Sequence, residues 1–227
     1  MHNKHAEGLG VRWRALTSYL KKPVSAVIVL CALPLLLIPL TEFLAVAPFG
    51  SSQFLYWQML IVLPAVVALL ALPIAPFFLL SRKTRSAAAL VLAGSIIVTT
   101  SCYFGLRLGK RIRMDAFAKL SIRSAELVSA IKQYEQANGV PPKTLEDLVP
   151  GFLTEIPSTG MRAYPDYRYL SGEDAASYEG NPWVLTVFTP SGGINFDQFM
   201  YFPRQNYPDK GFGGGLQRVN DWAYVHE

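Results

Sequence analysis

Three stretches of this chain run for about twenty residues with almost no charge, each long enough to cross a bilayer, and a fourth sets apolar residues at helical spacing among polar ones. The first, from Val24 to about Leu44, contains AVIVLCALPLLLIPL; Pro34 and Pro39 are tolerated in such a helix where neighbours satisfy the carbonyls they free. The second runs from about Tyr56 to Leu80. Tyr56 and Trp57 open it as interface anchors, and Pro64, Pro73 and Pro76 predict kinks. The third begins at Ala87, crosses by about residue 109, and passes into an amphipathic segment ending at Asn138. As one helix these roughly 52 residues would extend about 78 Å, of which only about 30 Å fits in hydrocarbon. The remainder must stand outside the membrane.

In that outer part Phe117, Leu120, Ser124, Leu127, Ile131 and Tyr134 recur at three- and four-residue steps, widened by Val128 and Ala130. Lys119, Arg123, Glu126, Lys132, Glu135 and Gln136 take the other faces, so the helix has one side to bury. Asn138-Gly139 predicts its end, and Pro141-Pro142 prevents continuation. Thr144 followed by Asp147 reads as a capping box for a short helix with Leu145, Leu148 and Val149 inward, ended by Pro150-Gly151.

Strands are predicted at Tyr167 to Leu170, Trp183 to Thr189, about Ile194 to Phe202, and Trp222 to His226, each aromatic or β-branched and bounded by turn residues. Pro190-Ser191-Gly192-Gly193 is the turn of an antiparallel hairpin. A meander of three or four strands covering the helical stripe would make a core that neither part makes alone. The expected class is an α+β membrane protein with three transmembrane helices, the third continuing into a long amphipathic helix packed on a small antiparallel sheet. Its parts are a basic cytoplasmic N-terminus (1–23), a three-span anchor (24–109, with spans at about 24–44, 56–80 and 87–109) and an extracytoplasmic α+β domain (110–227).

The run from Ala130 through Tyr134, Asn138-Gly139, Pro142, Thr144 and Leu148 to Pro150, following a membrane-rooted helix, resembles the major pseudopilins of type II secretion and related pilin-like domains. The resemblance covers about residues 87–157 and implies a long helix, half in the membrane, wrapped by a short antiparallel sheet, with assembly through the helix. Pilins are processed at a Gly before an apolar run bearing Glu at its fifth position. Here the span opens Ser86-Ala87-Ala88-Ala89 without that Glu, and two further spans precede it. The resemblance therefore implies a pilin-like outer domain on a permanent anchor, and it carries over no site residue.

Charge adds an orientation. Up to Arg113 there are 12 Lys and Arg against 2 Asp and Glu, and beyond it 9 against 14, so the overall +5 divides into +10 and −5. The outer domain is acidic, which excludes a nucleic-acid partner. Eight basic residues flank the spans on one side (five before the first, three between the second and third), against Arg107, Lys110, Arg111 and Arg113 after the third. That asymmetry predicts a cytoplasmic N-terminus and an extracytoplasmic C-terminal domain, as for a multi-pass protein of a bacterial inner membrane. The basic lead, apolar run and Ala45-Val46-Ala47 also fit a signal peptide, an alternative that leaves the later topology unchanged.

Candidate chemistry is sparse. No ionisable residue sits mid-span, with Glu42 and Gln58 near span ends, which argues against a transporter. Cys31 and Cys102 both fall in spans, and His2, His5 and His226 form no metal-ligand spacing. Gly211-Phe212-Gly213-Gly214-Gly215 lacks the Lys-Ser/Thr of a phosphate loop. Glu173, Asp174 and Glu179 form an acidic loop that either binds a cation or is simply solvated, and Glu146-Asp147 suit a helix start. Tyr164, Tyr167, Tyr169, Tyr178, Trp183, Phe199, Tyr201, Phe202, Tyr207, Trp222 and Tyr224 are chiefly core. No catalytic, cofactor-binding or metal residue is assigned, and no cofactor is expected. The first reading is a non-enzymatic anchored protein whose partners are the bilayer and either an envelope protein or a second copy, met through the Gly105/Gly109 step of the third span. The alternative is a membrane sensor or enzyme binding a cell-wall sugar, peptide or ion between the loops at 171–181 and 204–221.

Overall fold

The structure is a computed structural model that describes residues 23–192, 195–209 and 213–226. The basic lead with His2 and His5, Gly193 and Ile194 of the expected turn and strand, and Gly211 and Phe212 of the glycine run lie outside the described residues.

The first uncharged stretch forms two helices, α1 (Pro23–Ala32) and α2 (Pro34–Val46). Pro34 disfavours helical backbone at Leu33, and the joint is held by bonds from Leu36 and Leu37 N–H to the Leu33 carbonyl, both 3.0 Å. Next come α3 (Gln53–Phe78), α4 (Arg85–Arg123) and α5 (Ala125–Asn138). Three helical segments are long and apolar enough to cross a membrane: Ser25–Val46, Gln53–Phe78 and the 54-residue Arg85–Asn138. At 1.5 Å per residue the last extends about 81 Å. The chain is thus built as a multi-pass membrane protein.

It divides into two compact units. The first comprises the residues up to Pro39 together with Leu60–Leu108. Small side chains face inward there: Ala65, Ala68, Val98 and Cys102 pack with Ile38. Large apolar ones face out, Leu36 at 70% and Leu70 at 66% exposure, the reverse of a water-soluble bundle and the pattern that lipid contact demands. Gly105 is buried, and a Cβ there would stand 2.7 Å from the Pro34 carbonyl oxygen and 3.3 Å from the Ile38 side chain. Gly105 thus lets α4 approach α2 closely within the chain.

The second unit comprises Leu40–Met59 and everything from Gly109. Five antiparallel strands, β1 (Arg168–Ser171), β2 (Trp183–Phe188), β3 (Gln198–Tyr201), β4 (Gly215–Val219) and β5 (Trp222–His226), form one sheet in the order β1-β2-β3-β5-β4. The expected stripe is its helical partner: Phe117, Leu120, Ser124, Leu127 and Ile131 are fully buried. They meet Trp183, Leu185, Val187, Phe199, Tyr201, Trp222 and Tyr224 from one face of the sheet. Phe117, Phe199 and Trp222 stack with ring centroids 4.9 Å apart in each pair. Ala45, Val46 and Leu55 belong to the same core, and Ala47 is buried beside them.

Several expectations change in detail. The long helix is interrupted at Ser124, whose hydroxyl bonds back to the Leu120 carbonyl at 2.8 Å and meets the Tyr167 hydroxyl at 2.9 Å, a pattern that bends helices. The short helix is one 3₁₀ turn, Leu145–Leu148, and Val149 is exposed because the chain leaves the turn in extended conformation. The sheet has five strands rather than three or four. The missed one, β4, lies in the span read as a loop and pairs with β5 across Asn220-Asp221, where Asn220 takes φ 54°. A further short helix, α6 (Glu173–Ala176), caps the outer face of the sheet with Ala175.

Gly105→Leu should cost about 1–3 kcal/mol, the range for overpacking a filled site. The check is the thermal aggregation midpoint in detergent, which falls if the helices pack as described and stays put if Gly105 faces open space.

Candidate functional site

The buried stripe, followed backwards by one more helical step from Phe117, arrives at Arg113. An arginine therefore occupies a core position, with its side chain 3% exposed. Its Nε donates to Glu42 Oε2 at 3.0 Å, and Nη1 donates to the Thr189 carbonyl at 3.1 Å. The Glu42 side chain is itself 7% exposed. The guanidinium lies 6.0 Å from the ring centres of both Phe117 and Tyr164, close enough for cation–π attraction. Arg113 Nη2 and Thr189 Oγ1 are buried without a hydrogen-bond partner among the described residues.

Neighbouring polar groups make a layer around this pair. Tyr164 donates to the Pro190 carbonyl at 2.9 Å, and Tyr224 to Asp197 Oδ2 at 2.6 Å. The Thr189 N–H donates to the Asp197 carbonyl at 2.8 Å, and the Thr41 hydroxyl to Gln58 Oε1 at 3.0 Å. Burial raises the Tyr164 phenol above its ordinary value even though the Arg113 charge opposes it. Burial likewise raises that of Tyr224, where Arg113 opposes and the Asp197 carboxylate adds. These phenols are hydrogen-bond donors, not bases. Arg113, counted from the sequence as a free flanking charge, is instead neutralised by Glu42, while Arg107, Lys110 and Arg111 are exposed.

A second feature lies on the flank of the helix. A groove of about 650 Å³ runs between Ser121, Ile122, Ala125, Val128, Ser129 and Lys132 on one side and Tyr201, Asn220, Asp221 and Trp222 on the other. Its floor is fixed: Asn220 Nδ2 donates to Ser121 Oγ at 2.7 Å, and the Lys132 ammonium sits 5.5 Å from the Tyr201 ring centre. Ile122, 69% exposed, stands on its wall. The groove thus offers an apolar side chain, a cation and a carboxylate together.

The other candidates fall elsewhere. Glu173 and Asp174 are exposed on α6, and Glu179 is exposed on a residue with φ 53°. The loops at 171–181 and 204–221 do meet, but through amides: Asn181 Nδ2 donates to Asn206 Oδ1 at 2.8 Å, and Asn206 Nδ2 to the Glu179 carbonyl at 2.7 Å. Asp147 accepts the Lys143 and Thr144 N–H groups, both at 2.9 Å, which accounts for it structurally. Gly215 opens a strand, not a helix. Among the described residues no three His, Cys, Asp or Glu side chains are grouped to hold a metal ion. No known protein family, curated protein or solved structure matches this chain.

Removing one member of the ion pair should cost about 3–5 kcal/mol, because the other charge is stranded in the core. Glu42→Gln or Arg113→Met alone should sharply increase proteolysis of the purified protein. The double variant Glu42→Leu/Arg113→Met should recover most of the resistance. Equal damage in single and double variants would contradict a coupled pair.

Proposed function

We propose that this protein is a non-enzymatic membrane anchor presenting a pilin-like interaction domain outside the cytoplasm. The observation that carries this reading is the flank groove on a domain whose remaining polar machinery is internal. The Glu42 carboxylate, the Arg113 guanidinium and the Tyr164 and Tyr224 phenols are buried and bonded within the domain, so among the described residues they are not displayed to a substrate. The groove, by contrast, sets exposed Ile122 and Lys132 of the helix opposite Asp221 of the β4–β5 turn, a composition suited to a helical or extended segment of a partner protein. A long helix lying on a small antiparallel sheet supports the pilin-like comparison. The two preceding spans support permanent anchoring over extraction into a fibre.

Three crossings put the Ala47–Ser52 loop and the α+β domain on one side of the membrane, and the loop carrying Arg82 and Lys83 on the other. The eight Lys and Arg flanking the spans on one side, against four on the other, support a cytoplasmic N-terminus and an extracytoplasmic domain in a bacterial inner membrane.

In mild detergent the native chain should co-purify with an envelope protein or with a differently tagged second copy. Ile122→Asp and Lys132→Glu should each weaken that recovery about tenfold or more, while Val140→Asp, at an exposed apolar position off the groove, leaves it intact. Recovery of monomer alone from the native chain, or equal effects at Ile122 and Val140, would overturn this reading.

A further inference from the structure

The hairpin joining β2 and β3 is tied to residues of the apolar helices, Leu55 lying in the second segment long enough to cross a membrane and Arg113 in the third. Arg113 holds the Thr189 carbonyl, Tyr164 holds that of Pro190, and Gly192 packs on Leu55 so closely that a Cβ would stand 3.3 Å from the Leu55 Cβ and carbonyl oxygen. Asn195 closes the turn by accepting the Ser191 N–H at 3.1 Å and donating to the Gly192 carbonyl at 2.7 Å. The two strands alternate cleanly here. Val187, Thr189, Asp197 and Phe199 face the helix and are buried, so Phe188 and Phe196, one step out of phase, share the opposite face. They are 52% and 59% exposed, although the same face farther along is closed over Val184, Met200 and Phe202.

We infer that this hairpin is a membrane-interface anchor, seating Phe188 and Phe196 in the headgroup and upper acyl region of the same bilayer that the helices cross. The occupant is identified by continuity. Phe43, Phe49, Tyr56 and Trp57, at and between the facing ends of α2 and α3 in the same unit, are also exposed, and Phe43 meets Phe49 edge-on at 6.5 Å. Gly192 packs on Leu55, the residue before Tyr56 and Trp57, so the hairpin adjoins exposed rings of the kinds that settle at a membrane interface. Exposed Lys110 and Arg111, less than one helical turn before Arg113, supply charges for lipid phosphates. Glu42 and Arg113, beside the hairpin, are buried against each other and so present no charge to lipid.

The inference rests on the three-crossing reading, and the test separates the two. Nitroxides are placed singly at 188, 196, 70 and 140 in a Cys31→Ala/Cys102→Ala chain, in phosphatidylcholine/phosphatidylglycerol nanodiscs. Collision rates with oxygen and with a water-soluble nickel chelate then give depth. The oxygen-to-nickel ratio at 188 and 196 should exceed that at 140 severalfold and fall short of that at 70. A ratio at 188 and 196 equal to that at 140, with 70 deep in lipid, overturns the anchor alone. A water-like ratio at 70 overturns the crossing and the anchor with it. Should the cysteine-free chain not fold, benzoylphenylalanine at 188 or 196 in the otherwise native chain should give lipid adducts on irradiation, and their absence beside adducts at 70 overturns the anchor.

Discussion

A guanidinium and a carboxylate taken out of water must find each other, or burial of either one costs several kcal/mol. Arg113 and Glu42 meet that condition across 71 positions of sequence, and much of the second unit is arranged around their meeting. The pair fixes the end of α2 beside the long helix and brings the end of β2 to the same point through the Thr189 carbonyl. Beside it stand the Tyr164 and Tyr224 hydroxyls, which donate to the Pro190 carbonyl and to Asp197. A hydrophobic pair of similar volume would pack at least as favourably, but it would not select one register of α2 against α4. Specifying that register is the role the geometry gives this ion pair.

Its position explains why the α+β domain is not the self-contained C-terminal half that charge and hydropathy suggest. The core that buries Phe117, Leu120 and Ile131 also takes in Ala45, Val46 and Leu55. Residues read as the ends of two spans and their loop are thus part of the folded α+β unit. The loop between α2 and α3 belongs to that unit, with Val46 and Leu55 packed on either side of it.

The sequence carried the helical stripe, the sheet's aromatic face and the Asn138-Gly139 stop legibly, because burial of a helix or strand face imposes a period that survives in the residues themselves. Gly139 indeed adopts φ 74° and bonds back to the Glu135 carbonyl. The ion pair was less visible. Arg113 lies four positions before Phe117, on the stripe, and extending the period backwards would have marked it as buried. Its partner sits in a different element far away, and no local pattern pairs the two. Strand β4 was missed because Gln217 and Arg218 make an exposed edge strand look like a loop; the Asn220-Asp221 turn before Trp222 was the available signal. The groove was not legible at all, since it arises from the meeting of α4, α5, β3 and β5 rather than from any one segment.

The central claim is that the loop between α2 and α3 and the α+β domain share one side of the membrane, opposite the loop between α3 and α4. Single cysteines at Phe49, Leu80 and Val140, each in a Cys31→Ala/Cys102→Ala chain, can be tested with a membrane-impermeant maleimide, in cells whose outer barrier has been opened and again after full lysis. The account predicts that positions 49 and 140 react before lysis and position 80 only after it. Reaction of 49 and 140 from opposite sides would contradict it, because no single folded unit could then contain both Glu42 and Arg113.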